Sequence, residues 1–230
     1  MKNENPYSPT EFAGASDAGG LARSAFELFL DRATLTLLIV YGSLTALDIG
    51  YLLLVSYTGN GDSYITSALT LGGVISLLLL AVVFIVWSFV SHRNLKKKFG
   101  FDRLSVWSGV AFFGYFVPLL NLVLPQELIS DLYIGYKIRS TGSSAQIMGK
   151  NRVRVSGAWI VLLWWLSFLL FVGAVLLFYL TVSDAGGSAG MYALFVLREA
   201  ARLVSLALAA YIVMEINRMK REAYRHRLAA

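Results

Sequence analysis

The sequence contains no cysteine and only two histidines, His92 and His226. The lack of cysteine excludes disulfide bonds, thiolate metal sites and a cysteine nucleophile, and it leaves the redox compartment open. No group of His, Asp and Glu residues has the spacing of a metal site, and no glycine-rich phosphate-binding loop precedes a helix. We therefore expect neither a metal nor a cofactor.

The start of the chain lacks the features of a cleavable secretory signal. Polar residues, with Glu4, Glu11 and Asp17 among them, occur through the roughly 30 positions before the first apolar block, whereas a secretory signal has a basic start followed quickly by an apolar core. Residues 1–20 are rich in Asn, Pro, Ser and Gly, which is typical of a disordered tail. The first apolar block is therefore expected to remain in the protein as a membrane span.

Apolar residues are in excess, since 57% of the chain is hydrophobic and the mean hydropathy is +0.64. Soluble domains are about 45–50% apolar, and the excess here lies in blocks too long for the core helices of a soluble protein. The sequence therefore predicts an all-α integral membrane protein. Because basic residues in such a protein mark its cytoplasmic loops, we interpret the net charge of +6 in that way and expect no nucleic-acid partner.

Four apolar blocks are long enough to cross a bilayer, which takes roughly 20 helical residues. They cover residues 33–55, 64–90, 157–182 and 191–216. Residues 21–32 combine charges spaced four apart with apolar positions, which predicts a short amphipathic helix in the membrane interface. We interpret residues 21–216 as one helical membrane domain, followed by a basic cytoplasmic tail at 217–230.

The basic residues are distributed unevenly among the segments outside these blocks. Eighteen of the 20 Lys and Arg residues lie in the N-terminal segment, the segment after the second block, the segment before the third block and the C-terminal tail. The two short loops at 56–63 and 183–190 contain none. Because Lys and Arg mark the cytoplasmic side, we expect a multi-pass membrane protein with both termini in the cytoplasm.

The charge distribution also limits how the central stretch, residues 104–136, can pass through the membrane. Basic segments flank it on both sides, so a single crossing would place one of them outside. We therefore predict a re-entrant helical hairpin that enters and leaves on the cytoplasmic side, which gives four transmembrane helices plus a central hairpin. Each arm of about 14 residues measures roughly 20 Å, which is too short to span the bilayer.

The turn of this hairpin is predicted at residues 118–121. Pro118 ends the first arm, because proline lacks an N–H and disfavours helix in the residue before it, and Pro125 starts or kinks the returning arm. Asn121 supplies donors and acceptors to backbone groups that the turn frees inside the membrane. The alternative is a pair of helices lying on the membrane surface.

The same stretch resembles a bacterial membrane family, the domain of unknown function 4328. The shared pattern is a tryptophan-bearing apolar run, a proline, an Asn–Leu pair, a second proline and an amphipathic segment, found here as Trp107, Pro118, Asn121, Leu122, Pro125 and residues 126–133. The basic element at residues 92–94 after the preceding span is similar as well. The resemblance covers about residues 33–216 and implies a multi-span helical fold, but it implies no activity.

Four charged residues fall inside the predicted spans, namely Asp48, Arg198, Glu199 and Arg202. Asp48 and Arg202 are expected at similar depth, which allows a buried Asp–Arg pair with Glu199 beside it. Because a charge inside the bilayer costs about 2.5–3.5 kcal/mol on insertion scales, such residues are paired or functional. The functional interpretation is an ion, proton or anionic-ligand site, and the alternative is a structural clamp or an Arg198 that reaches the outer interface.

Small residues four positions apart predict close helix packing. Three such stripes occur, at Gly42/Ala46/Gly50, Ala68/Gly72/Ser76 and Ala201/Ser205/Ala209.

Two other patterns are less informative. Glu127 and Asp131 either line a polar vestibule or form a solvated face, and residues 186–190 match the G-x-S-x-G motif of serine hydrolases without its strand–turn–helix context.

The sequence thus predicts a non-enzymatic structural, accessory or interaction module that acts through helix packing. The alternative is a small channel or transporter in which the hairpin turn and the intramembrane charges line a path. Expected partners are the lipid bilayer, with anionic lipids at the basic loops, and a second copy of the chain or a larger membrane complex. The sequence indicates neither a substrate, nor the identity of a partner, nor the protonation state of Asp48.

Overall fold

In the computed structural model, the described residues are 23–58, 63–100, 123–140, 157–182 and 189–229. Within these ranges the chain is helical and forms no strand. The five helices are α1 (Ala25–Thr58), α2 (Ser63–Phe99), α3 (Leu124–Ser140), α4 (Trp159–Val182) and α5 (Ala189–Ala229). The prediction of an all-α protein is confirmed for this part of the chain.

Three helices are long and apolar enough to cross a membrane. The qualifying segments are Ala25–Val55, Ser67–Phe99 and Trp159–Phe178, in α1, α2 and α4. They correspond to three of the four apolar blocks, and the fourth block lies within α5. By length and composition, the chain is therefore a helical membrane protein.

α1 begins earlier than the first predicted span, because residues 24 and 27 form a capping box. The Ser24 hydroxyl accepts a hydrogen bond from the Glu27 N–H at 3.2 Å, and the Glu27 carboxylate accepts one from the Ser24 N–H at 2.9 Å. This reciprocal pair satisfies N–H groups that have no partner within the helix. The predicted amphipathic helix and the first span are consequently one continuous helix rather than two.

α2 continues past residue 90 through the basic segment and ends at a glycine. Gly100 has a φ of +59° and its N–H donates to the Lys96 carbonyl at 3.0 Å, which is the usual way for a helix to end on glycine. α3 packs closely against this part of α2, since a Cβ atom at Gly135 would collide with the Leu95 side chain.

Each of the five helices has one of its two ends at the same end of the bundle, which we call the basic end. α1 and α4 begin there, and α2, α3 and α5 end there. The contacts that establish this are between Glu27 and Lys98, between Glu27 and Tyr224, between Tyr136 and Ser91, and between Gly157 and Tyr133. Gly157, with a φ of +96°, precedes α4 at a point where a Cβ atom would lie 2.6 Å from the Tyr133 hydroxyl oxygen.

α3 starts inside the apolar part of the bundle and runs toward the basic end. Ile129 borders the same recess as Phe84 of α2 and Ile212 of α5. Two turns later, the Tyr136 hydroxyl donates to the Ser91 carbonyl at 3.0 Å, so α3 and α2 run in parallel. Since Leu124 precedes Ile129 by more than one turn, α3 begins about 7 Å deeper than Phe84.

The predicted hairpin is described only in its returning arm. The first arm, Pro118 and Asn121 lie outside the described residues. Pro125 is the second residue of α3 and is buried, a position where the missing N–H of proline costs no intrahelical hydrogen bond.

Candidate functional site: two buried polar clusters

Three of the four charged residues predicted inside the spans come together on α5. The Glu199 carboxylate accepts a hydrogen bond from Arg198 Nε at 2.7 Å and one from Arg202 at 3.1 Å. Glu199 is only 4% exposed. We call these three residues the Glu199 cluster. Because it contains two guanidinium groups and one carboxylate, one positive charge is unmatched.

The Glu199 cluster is tied to α1 through Thr45. Arg202 donates to the Thr45 hydroxyl oxygen at 2.7 Å, and the Thr45 hydroxyl donates to the Tyr41 carbonyl at 2.9 Å. The Arg202 guanidinium also lies 5.0 Å from the centre of the Tyr41 ring. Asp48 lies one turn further along α1, is partly exposed, and has no ion pair with Arg202 within the described residues. On α1, the partner of Arg202 is therefore Thr45, and not Asp48 as the sequence had suggested.

Arg198 is held between two aromatic rings. Its guanidinium lies 5.0 Å from the centre of the Phe178 ring and 4.8 Å from that of the Phe195 ring. Cation–π contacts of this kind stabilise a desolvated guanidinium. The Glu199 cluster thus joins α5 to α1 through Arg202 and to α4 through Arg198.

The three small-residue stripes have different surroundings. Ala201, Ser205 and Ala209 are buried in the bundle. In the second stripe Ser76 is buried, Ala68 is exposed, and a Cβ atom at Gly72 would reach only Leu44 at 4.0 Å. In the first stripe Ala46 is exposed, and a Cβ atom at Gly42 or Gly50 would meet no atom within 4 Å. The first stripe is therefore open on the outside of the bundle.

A second polar cluster, which the sequence interpretation missed, lies at the basic end around Asp31. One Asp31 carboxylate oxygen accepts hydrogen bonds from Trp87 Nε1 and from Lys220 Nζ, both at 2.8 Å. The other oxygen pairs with Arg23, and the Asp31 carbonyl accepts a hydrogen bond from the Asn217 amide at 3.4 Å. Asp31 thereby connects α1 with α2 and with α5.

Glu27 belongs to the same cluster, one turn before Asp31. Its carboxylate accepts hydrogen bonds from Asn94 at 2.5 Å, from Lys98 at 2.9 Å and from the Tyr224 hydroxyl at 3.0 Å. These donors come from α2 and α5, so both carboxylates bind the same pair of helices. We call Glu27, Asp31 and these partners the Asp31 cluster.

Lys220 is the most buried cation of the Asp31 cluster, with 3% of its surface exposed. Its ammonium lies 5.2 Å from the centre of the Trp87 ring and 5.8 Å from that of the Tyr136 ring. Burial and the nearby Arg23 lower the pKa of Lys220 to about 7, whereas the Asp31 carboxylate favours the protonated form. Burial also raises the pKa of Tyr136 well above that of a free tyrosine.

His92 lies on α2 in the same part of the bundle. It is fully buried, and neither ring nitrogen has a hydrogen-bond partner within the described residues. From the sequence, residues 92–94 are interpretable only as a basic element. Of the three, Asn94 contacts Glu27 directly.

An apolar layer separates the two clusters. A recess between α2, α3, α4 and α5 in this layer has no room for a water molecule. Its walls are Phe84, Ile129, Trp164, Ala209, Ile212 and Val213. The described residues that line this recess therefore offer no polar path between the Asp31 cluster and the Glu199 cluster.

Comparison with known proteins identifies one family. The family model of a domain of unknown function, DUF4328, matches residues 59–221, which is well over half of the chain. The resemblance inferred from the proline-containing stretch is thereby confirmed. The match covers the partners Trp87, Asn94, Lys98 and Lys220, but it begins after α1 and thus after Glu27 and Asp31. No curated protein and no solved structure matches the chain.

Proposed function

The chain belongs to the DUF4328 family, and we propose that this member is a non-enzymatic module of the bacterial inner membrane that acts through helix packing. It associates with a second copy or serves as an accessory subunit of a membrane complex. The basic end faces the cytoplasm, and the chain forms four spans and a re-entrant hairpin.

The observation that carries this proposal is that donors of the chain itself pair the buried carboxylates. Glu27, Asp31 and Glu199 each bind donors from their own bundle, and these contacts join α1 to α2 and to α5. Buried carboxylates used in this way fix the arrangement of helices. A recess without room for water lies between the two clusters, which also favours packing over transport.

The topology is supported by charge and by the depth of α3. The described basic segments meet at one end of the bundle, as the positive-inside rule requires of cytoplasmic segments. α2 ends at the basic end, whereas α3 begins within the apolar layer. We propose that the 22 residues from 101 to 122 link these two points as the first arm and the turn of a re-entrant hairpin.

Charge segregation supports anionic lipid as a partner at the basic end. All eight described Asp and Glu residues are buried or partly buried. Eight basic residues at the basic end are exposed and have no acidic partner within the described residues, namely Arg32, Arg93, Lys96, Lys97, Arg139, Arg221, Arg225 and Arg227. Near an anionic membrane surface each such residue contributes about 1 kcal/mol.

Cysteine crosslinking tests self-association, because the chain has no cysteine of its own. Gly50 and Gly173 both lie where a Cβ atom meets nothing within 4 Å, and only Gly50 belongs to the open stripe. We expect Gly50→Cys to crosslink two copies in native membranes, or one copy to a co-purifying protein, and Gly173→Cys to do neither. A strictly monomeric protein without a partner in mild detergent would contradict the packing role.

The alternative function is that of a small channel or transporter. It is favoured by the unmatched positive charge of the Glu199 cluster, since charges inside the membrane often mark ion paths, and by the start of α3 at membrane depth. Flux across liposomes decides between the two functions. A flux that Asn121→Ala and Arg202→Leu both abolish would establish the path and displace the packing proposal.

A further inference from the structure

The ends of α2, α3 and α5 meet at a corner of the basic end that carries two arginines. Arg139, in the last turn of α3, donates to the Gly100 carbonyl at 3.4 Å. Arg227 of α5 lies over the Phe99 ring, with its guanidinium carbon 5.8 Å from the ring centre. Two guanidinium groups from different helices thus contact the last residue of α2 and the glycine that follows it. We call Phe99, Gly100, Arg139 and Arg227 the Phe99 corner.

The Phe99 corner is built on a fixed aromatic contact. The Phe99 ring meets Tyr136 and Tyr224 edge to face, at centroid distances of 5.8 and 5.0 Å. These tyrosines belong to α3 and α5, the helices that carry the two arginines. The arginine backbones are therefore held in place, which reduces the conformational entropy lost when a ligand binds.

The positive charge of the corner has no acidic partner within the described residues. Glu27, an acid near this part of the bundle, already binds Lys98 and Tyr224. Partial burial, and secondarily the charge of Arg227, lower the pKa of Arg139. Two guanidinium groups that repel each other at an exposed position are stabilised when an anion lies between them.

We propose that the Phe99 corner binds a phosphate group, supplied by the headgroup of an anionic phospholipid or by a soluble phosphate. The planar guanidinium matches phosphate oxygens in two-point hydrogen bonds, which lysine cannot form. Phe99 lies nine residues, or about 13 Å, beyond the apolar run that ends at Val90, so the arginine side chains reach the headgroup layer. The lipid form of this inference rests on the proposed position of the basic end at the membrane surface.

Lipid binding by the full-length protein in a neutral detergent tests the proposal. Native mass spectrometry measures bound phosphatidylglycerol and phosphatidylcholine, with inorganic phosphate and glycerol 3-phosphate as soluble competitors. The test variant is Arg139→Gln with Arg227→Gln. The control is Lys97→Gln with Arg225→Gln, which removes the same charge from exposed positions two residues before Phe99 and Arg227.

The two variants should differ most at high salt. At about 0.5 M salt the Debye length falls to roughly 4 Å, so contact pairs persist while general attraction is screened. We expect the corner variant to lose phosphatidylglycerol binding by about tenfold or more there, and the control by less than about twofold. If Arg139 cannot be replaced without loss of helical content, the single variant Arg227→Gln gives the same comparison.

Each outcome has a distinct meaning. Equal losses in the two variants would overturn the Phe99 corner but leave general lipid contact intact. If the wild type does not prefer phosphatidylglycerol, and if neither inorganic phosphate nor glycerol 3-phosphate competes, both the Phe99 corner and the proposed lipid contact are overturned. Competition by glycerol 3-phosphate without lipid preference would identify the ligand as a soluble phosphate.

Discussion

At the scale of single residues, the Asp31 side chain joins α1 to α2 and to α5. A buried carboxylate is stable only when its oxygens are paired. Asp31 meets this condition with an indole N–H, an ammonium and a guanidinium from three different parts of the chain. The removal of any one of these groups therefore leaves a charge in an environment that does not solvate it.

Replacement of Lys220 tests this dependence. We expect Lys220→Met to lower the free energy of unfolding by about 3 kcal/mol, because loss of one partner of a buried ion pair costs roughly 3–5 kcal/mol and Arg23 remains near Asp31. The double variant Asp31→Asn with Lys220→Met should cost less than the sum of the two single changes. Unfolding in mixed detergent micelles measures all three variants, and strictly additive costs would contradict the pairing.

His92 presents the opposite case, since its ring nitrogens are buried without partners. Removal of an unsatisfied polar group from a core is neutral or stabilising. We therefore expect His92→Leu to leave the free energy of unfolding unchanged or to raise it by up to about 1 kcal/mol. The control is Trp87→Phe, which removes a donor to Asp31 and should destabilise the protein. A strongly destabilised His92→Leu variant would show that the imidazole has a polar role.

The residues of the Asp31 cluster could be predicted from the sequence only in part. The spacing of Glu27 and Asp31 is visible in the sequence, and Ser24 with Glu27 matches a capping box. Their partners on α2 and α5, however, are 56 to 197 positions away along the chain. Lys220 looks like one more basic residue of a cytoplasmic tail, and only the packing of α5 against α1 gives it another role.

At the scale of elements, α4 begins at a position that admits only glycine. Gly157 combines a left-handed φ of +96° with close approach to the Tyr133 hydroxyl. A side chain at such a position is strained by about 1–3 kcal/mol. The missing side chain of Gly157 therefore lets the start of α4 pack closely against Tyr133 of α3.

We expect Gly157→Ala to lower the free energy of unfolding by about 1–3 kcal/mol. Addition of Tyr133→Phe should restore only part of this loss, because it clears the collision but leaves the backbone strain. The control is Gly173→Ala within α4, where a Cβ atom meets nothing within 4 Å and the better helix propensity stabilises by about 0.5–1 kcal/mol. Equal effects of the two substitutions would refute the special role of Gly157.

The elements themselves were largely predictable, because long apolar blocks dominate the sequence. Three blocks became candidate spans, and Pro125 marked the start of α3 within one residue. The positions at which α1 begins and α2 ends, both at the basic end, were not predictable from hydropathy. α1 and α2 continue through charged segments since a capping box starts one helix and Gly100 ends the other. These determinants are polar and local, so an apolar count does not detect them.

At the scale of the whole molecule, two observations support the same topology. They are the distribution of basic residues and the start of α3 within the apolar part of the bundle. If residues 104–136 crossed the membrane once, the basic segments on either side would face opposite compartments. Yet Lys98 and Arg139, from the ends of α2 and α3, lie at the same end of the described bundle. A chain that leaves and returns at this end keeps all basic segments on one side.

Single-cysteine labelling tests this topology in intact cells and inverted vesicles. We expect Gly142→Cys, in the basic segment after α3, to react with a membrane-impermeant reagent only from the cytoplasmic side. Gly61→Cys, in the short loop that has no Lys or Arg, should react only from outside and serves as the matched control. Labelling of Gly142→Cys from outside alone would mean that the central stretch crosses the membrane. The basic segments would then face both compartments, and the clustering of their described ends at one end of the bundle would need another explanation.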